Sequence, residues 1–391
     1  MELSASTSVP PVAEFCADRI DRFLGDSRPR TPCLVLDLEI VREKYRSLAA
    51  LLPGVEIFYA VKANPAPAVI DTLARLGASF DLASEGEISR CRRLGVPATS
   101  CSFGNTIKRE VEIADAWRAG IDLFAFDSLA EIEKLARAAP GARVYCRLTV
   151  AGKGAEWPLS RKFGCAPEMA ADLLLTAGKL GLRPFGVSFH VGSQQTEPDT
   201  WTGAIARAAR VFRDCARSGI ALEIVNLGGG LPAQYRAPIP ALGRYAEVIR
   251  QAIDAEFGTS SPRLFIEPGR YLVGDAGLLR SEVVLISRRT PHAHRPWVYL
   301  DAGRFNGLPE TIGERIRYRI RTPRDPGVAE PMILAGPTCD SADIIYQDPR
   351  FNLPCDLAIG DPVDFLSAGA YTASYASVEF NGFTPIQTYC I

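Results

Sequence analysis

Between about residues 55 and 270 the chain alternates between short runs of β-branched and aromatic residues and longer segments of helical periodicity. The runs are EIFYAVKAN (from 56), SFDLAS (79), TSCSFGN (99), DLFAFDS (122), RVYCRLTV (143), FGVSFHVG (185), EIVNLGGG (223) and RLFIEPGR (263). Between them lie PAVIDTLARLG, EGEISRCRRLG, EVEIADAWRAG, AEIEKLARAA, EMAADLLLTAGKLG, TWTGAIARAARVFRDCARSG and LGRYAEVIRQAIDAEFG. Several of these close on the glycine that ends a helix at low cost. Repeated strand–helix units call for a parallel sheet covered by helices. Eight strand candidates predict an α/β fold built on a (β/α)8 TIM barrel. A doubly wound open sheet has the same periodicity, but the count of eight and the lack of a nucleotide fingerprint favour closure.

After about residue 276 the pattern changes to strand-like segments with turns: LLRSEVVLISRR, PWVYLDAG, RIRYRIRT, PMILAG, DPVDFLSAG and FTPIQTYC. They predict a second, mostly antiparallel β domain, a β-barrel or sandwich. TPCLVLDLEIV, near residue 31, reads as a strand that joins it. The expected division is 1–36 for the N-terminal segment and that strand, 37–275 for the barrel, and 276–391 for the β domain. Residues 1 to about 12, rich in Ser, Thr and Pro, are expected to be mobile.

Net charge is −1 with both signs interspersed, which gives no basis for a polyanionic partner, so a small-molecule ligand is expected, with no nucleic acid and no membrane. No run of 18 or more apolar residues occurs, and the N-terminus lacks the pattern of a signal peptide, so a cytoplasmic protein is expected. The ten cysteines are scattered without a C-x-x-C pair, which suits reduced thiols. His292 and His294 stand in a Pro/Arg-rich stretch without a ligand cluster and read as an exposed loop; no metal is expected.

In a (β/α)8 barrel catalytic groups gather at the C-terminal ends of the strands. Lys62, Asp81, His190, Gly228 to Gly230, Glu267 and Arg270 all fall at or just past such an end. Lys62 alone among the seven lysines ends an apolar run, where burial would lower its pKa and leave a neutral amine fit to bond a carbonyl carbon. A lysine snorkelling at the barrel rim explains that residue equally well. The turns NLGGGLP and EPGRYLVG follow the last two strand candidates, where barrels commonly bind phosphate. There glycine N–H groups can approach an anion and Arg270 can grip it. Glu267 is either a partner of Arg270 or an anion for a pyridine nitrogen. His190 is either a flat ring stacked on a cofactor or a hydrogen-bonded core histidine.

YAVKAN, FDLAS, SFHVGSQ, NLGGG, EPGRYLV, GPTCDSAD and GAYTASYASVEFNGF together resemble the fold-type III pyridoxal 5'-phosphate (PLP) decarboxylases, the group acting on ornithine, lysine, arginine and diaminopimelate. The resemblance runs from about residue 31 to the C-terminus. GPTCDSADI, WPLSRKFGC and WVYLDAG are most similar to bacterial ornithine decarboxylases of eukaryotic type. It implies that Lys62 carries PLP as a Schiff base, His190 stacks on its ring and Glu267 pairs with its ring nitrogen. Ser193, Gly229, Gly230, Gly269 and Arg270 would hold the phosphate, with a hydroxyl from Tyr371. Asp81 and Glu87 would support the lysine side. It further implies a homodimer in which Cys339, the proton donor, and Asp340, the clamp for the distal ammonium, reach the partner's site. Phe305, in DAGRFNG, stands where many eukaryotic members of that group have a tyrosine, so one phosphate hydroxyl is expected to be missing there, without abolishing binding.

The substrate implied is a basic amino acid, with L-ornithine first, giving putrescine for polyamine biosynthesis, lysine or dual use next, and arginine or a specialised diamine precursor behind. Glu314 or Glu310 would add a second acidic contact to the substrate, and Tyr371 would also line the substrate site. A diaminopimelate enzyme would need a basic residue where Asp340 stands. A PLP racemase, which needs a base on each face of the Cα, and a non-catalytic regulatory homologue are the rivals from other classes. The first has no use for the Cys339–Asp340 pair, and the second would be expected to lose Lys62 or Cys339.

Overall fold

The computed structural model describes residues 12–150, 152–158, 162–292 and 294–391. The mobile segment expected over residues 1 to about 12, apart from its last residue, and the centre of WPLSRKFGC therefore lie outside the described residues. The chain forms two units. One comprises Arg42–Leu272 with Arg315–Arg317, and the other the chain up to Val41, Val273–Glu314 and Tyr318–Ile391.

In the first unit a closed barrel of eight parallel strands forms, as the alternation predicts. They are β1 (Val55–Ala60), β2 (Ser79–Leu82), β3 (Cys101–Phe103), β4 (Leu123–Phe126), β5 (Arg143–Leu148), β6 (Arg183–Phe189), β7 (Ile224–Asn226) and β8 (Arg263–Ile266). Neighbours in sequence are neighbours in the barrel, and β8 closes on β1 through Leu264–Val55, Phe265–Glu56 and Ile266–Ile57. Strands covered on both faces are apolar throughout, as in the fully buried LFAF of β4. Phe58, Leu123, Ala125, Tyr145, Phe185, Ile224 and Phe265 form one buried cluster of strand side chains. The rings of Phe58 and Phe265 lie 4.6 Å apart. The barrel is thus packed with side chains and presents its functional groups at the strand ends.

Seven helices follow the first seven strands: α1 (Pro67–Arg75), α2 (Glu85–Arg93), α3 (Glu110–Arg118), α4 (Leu129–Ala138), α5 (Pro167–Lys179), α6 (Thr200–Arg217) and α7 (Leu242–Phe257). Their starts follow from local chemistry. Ser84 and Ser128 accept the N–H of Glu87 and Glu131 in the first turns of α2 and α4, and proline opens α1 and α5.

The second unit is a mostly antiparallel sheet. Its longest strand, β9 (Gly277–Ser287), pairs antiparallel with Cys33–Leu36, with Trp297–Leu300 and with Pro362–Leu366. Cys33–Leu36 also pairs, in parallel, with Gln387–Cys390. Three strands absent from the expectation, Ala329–Pro331, Ile344–Tyr346 and Asn352–Pro354, are three residues each, too short to show an alternating pattern. The expected division at 36/37 and 275/276 differs by a few residues from the unit limits at 41/42 and 272/273, and Arg315–Arg317 returns to the barrel unit.

Candidate active site

β1 ends at Ala60, and the next three residues, Val61–Ala63, form a single 3-10 turn that carries Lys62. Because Lys62 sits on that turn rather than in the strand, its side chain is 46% exposed, and the burial expected for it is not found. Its ammonium instead faces a carboxylate, with Nζ 3.7 Å from Oδ2 of Asp81 in β2. The sealed lysine of the barrel is Lys108. Its Nζ donates to the carbonyls of Asn105 and Ala125 at 2.7 Å and pairs with Glu131 at 2.9 Å. Burial lowers its pKa to about 8, but every contact named serves the barrel wall.

Asp81 is 4% exposed and accepts a hydrogen bond from Ser102 Oγ at 3.3 Å. Burial raises its pKa, and the ammonium of Lys62 pulls it back. Gly104 makes room for it, since a Cβ there would lie 1.9 Å from Asp81 Oδ1. Glu87 accepts the N–H of Ala83 at 2.7 Å, and burial raises its pKa too. Its charge also acts on the Lys62 side of the site.

His190 stands directly after β6. Its Nδ1 accepts the N–H of Gly192 at 3.0 Å, and burial, then the charges of Arg147 and Lys62, hold its pKa well below the usual imidazole range. The ring is therefore neutral, with its proton on Nε2. Gly229 lies against that edge, because a Cβ there would meet Nε2 at 2.9 Å and the carbonyl of Glu267 at 2.7 Å.

Glu267 follows β8. Asn226 Nδ2 donates to its Oε1 at 2.5 Å, while Asn226 Oδ1 accepts the N–H of Gly228 at 2.9 Å. Asn226 thus ties the glycine turn to the carboxylate. Burial, reinforced by the negative charge of Asp81, pushes the Glu267 pKa up to about 7. A carboxylate in this position gains most from a cation brought by a ligand.

Arg270, 3% exposed, opens the short helix Arg270–Val273 after Gly269. Its Nε and Nη2 donate to Ser193 Oγ at 3.3 and 3.1 Å, and its Nη1 to the Tyr235 hydroxyl at 2.7 Å. Gly230 adopts φ +125°, and a Cβ there would press on the Gly192 carbonyl at 2.7 Å. Ser193, Arg270 and the glycine turn belong to one hydrogen-bonded assembly, since Gln195, two residues beyond Ser193, donates its N–H to Gly230. This is the donor set a phosphate monoester needs. An electron-withdrawing ring with a basic nitrogen suits Glu267, a carbonyl carbon suits Lys62, and a flat surface suits neutral His190. The residues present fit PLP.

Arg147, Asn226 and Tyr235 were not singled out in the sequence. Arg147, near the end of β5, exerts its positive charge on Asp81, Glu267 and His190. A strand-end arginine among many arginines carries no signal of its own; its place after the apolar VYC of β5 was the available clue.

The remaining expected residues belong to the second unit. Cys339 and Asp340 lie on an exposed turn. Asn381 Oδ1 accepts from the Cys339 thiol at 3.4 Å and from its N–H at 3.2 Å, and Asp340 Oδ1 accepts the N–H of Ala342 at 2.8 Å. Glu314 Oε1 accepts the N–H groups of Gln347 and Asp348 at 2.8 and 2.9 Å, which commits that oxygen to the loop. Glu310 is buried, Tyr371 has left-handed backbone at φ +54°, and Phe305 packs on Phe380 with ring centroids 4.9 Å apart. His292 and His294 are exposed, and no group of potential metal ligands occurs among the described residues.

Comparison with known proteins agrees with this chemistry. The family model for the pyridoxal-binding domain of pyridoxal-dependent decarboxylases matches residues 38–274. The chain is 35% identical to the lysine/ornithine decarboxylase of Selenomonas ruminantium, over 90% of this chain and 88% of that protein. It is 33% identical to the ornithine decarboxylase of Mus musculus, over 91% of this chain and 80% of that one. The crystal structure of a Vibrio vulnificus lysine/ornithine decarboxylase complexed with cadaverine superposes with a TM-score of 0.87 at 33% identity, covering 96% and 99% of the two chains. The chain belongs to the pyridoxal-dependent decarboxylases, carboxy-lyases that take PLP as their cofactor.

Proposed function

We propose that this enzyme decarboxylates L-ornithine to putrescine and carbon dioxide, as a cytoplasmic homodimer that serves polyamine biosynthesis. Decarboxylation of a basic amino acid is supported by relatives named as ornithine and lysine/ornithine decarboxylases. The observation that carries the mechanism is the convergence of Lys62, Asp81, His190, Glu267 and Arg270 at the strand ends of one barrel. PLP, when bound, supplies an aldehyde and a protonated ring that takes up the electron pair left by carbon dioxide.

The chain's own residues have separate tasks. Lys62 is the attachment point, and Asp81, 3.7 Å away, orients its ammonium. Glu267 keeps a proton on the ring nitrogen, and the pairing replaces the charge that burial denies it. His190, neutral and held by Gly192, covers the ring without adding competing charge. Ser193, Gly229, Gly230, Gly269 and Arg270 hold the phosphate, and Tyr371 adds a hydroxyl.

Cys339 of the partner subunit returns a proton to the substrate Cα, and Asp340 of the partner subunit binds the distal ammonium. Both lie on an exposed turn, which suits a contribution across an interface.

A second reading, lysine or dual use, is favoured by the relatives named lysine/ornithine decarboxylases. One methylene separates the substrates, worth about 1–3 kcal/mol of discrimination. The test is kcat/KM for carbon dioxide release from ornithine, lysine, arginine and diaminopimelate with added PLP. Ornithine should be fastest, and a higher kcat/KM for lysine would overturn the ranking.

A further inference from the structure

Arg270 reaches its partners through a long side chain with many rotamers, so its value as an anion ligand depends on what holds it. The structure holds it at two corners. One edge of the guanidinium, Nε and Nη2, lies on Ser193 Oγ. The far corner, Nη1, donates to the Tyr235 hydroxyl at 2.7 Å, and Cζ lies 5.7 Å from the centre of the Tyr235 ring. Tyr235 is 4% exposed, so water does not compete for this bond.

The loop carrying Tyr235 is itself fastened beside Ser193. Gln194, next in sequence to Ser193, spends both ends of its carboxamide on Ala233. Its Nε2 donates to the Ala233 carbonyl at 2.8 Å and its Oε1 accepts the Ala233 N–H at 3.0 Å. Gln194 does so from left-handed backbone at φ +54°. One residue further along, the Gln195 carbonyl accepts from the Tyr245 hydroxyl of α7 at 2.8 Å. Ser193, Gly230 and Tyr235 are therefore set in one register.

We infer that Tyr235 is a positioning residue that locks Arg270 in the pose that grips the phosphate arm of the cofactor. The inference rests on the reading above that Arg270 and Ser193 bind that phosphate. The Tyr235 ring packs the loop, whereas the hydroxyl fixes the guanidinium, so removing only the hydroxyl separates the two roles.

The experiment strips wild-type protein, Tyr235→Phe and Arg270→Ala of cofactor and titrates each, by absorbance, with PLP and with pyridoxal, which lacks the phosphate. Loss of one buried hydrogen bond to a charged group should weaken PLP binding by Tyr235→Phe about 10-fold. Pyridoxal binding should stay within about two-fold of wild type, because the affected contact lies on the phosphate side alone. Arg270→Ala should weaken PLP further and leave pyridoxal unchanged. Wild-type PLP affinity in Tyr235→Phe, or equal weakening of both ligands, would overturn the inference while Arg270→Ala still behaves as described. Unchanged PLP affinity in Arg270→Ala would instead bring down the phosphate-site reading and this inference with it.

Discussion

Lys62 and Lys108 show why the surroundings of an amine matter more than its burial. Lys108 is sealed, but its Nζ is committed to two carbonyls and Glu131. Lys62 is nearly half exposed and has a carboxylate at 3.7 Å, an arrangement that leaves it reachable by a cofactor. Borohydride reduction of the holoenzyme followed by peptide mass spectrometry should place the pyridoxyl group on Lys62, and Lys62→Ala should carry none. A label on Lys108 would refute the assignment. Glu267 gives a pH prediction. Its pKa in the folded apoenzyme is about 7, raised from the ordinary 4.5. The folded state thus holds the proton more tightly than the unfolded one, and the associated stability is full below pH 4.5 and lost as pH rises through 7. The loss is about 3 kcal/mol at most. Urea unfolding of apoenzyme between pH 5 and 8 should show this fall, and Glu267→Gln should flatten it. An unchanged slope in the variant would place the titration elsewhere.

The sequence was most informative about elements. The eight strand runs and seven helices are those of the barrel, because apolar runs bounded by turns and serine or proline starts report local physics directly. The less legible parts were contacts between elements. Neither Asn226 on Glu267 nor Tyr235 on Arg270 follows from any pattern within one segment. Gly104 is another such case, a glycine after β3 whose missing Cβ makes room for a carboxylate of β2. Gly104→Ala should displace Asp81 and reduce kcat at least about 10-fold, since misplacing a group that orients the reacting amine is costly. As a contrast, Ser128→Ala removes only the cap of α4 and should cost about 1 kcal/mol of stability with activity intact. Thermal melts and steady-state rates on both variants distinguish a site effect from a general loss of packing.

At the scale of the molecule, the proposed active site needs two copies of the chain, with Lys62 from one and Cys339 from the other. Mixing inactive Lys62→Ala with inactive Cys339→Ala should then restore about a quarter of wild-type activity, because half of randomly assorted dimers carry one intact site. No recovery after subunit exchange would contradict the shared site. No helix among the described residues is long and apolar enough to cross a membrane. The most direct test of the central claim is the fate of L-ornithine given to the PLP-loaded enzyme in deuterated buffer. The account predicts carbon dioxide and putrescine in equal amounts, with one deuterium on the carbon that lost the carboxylate. Deuterated, racemised ornithine without carbon dioxide, or unreacted ornithine, would contradict it.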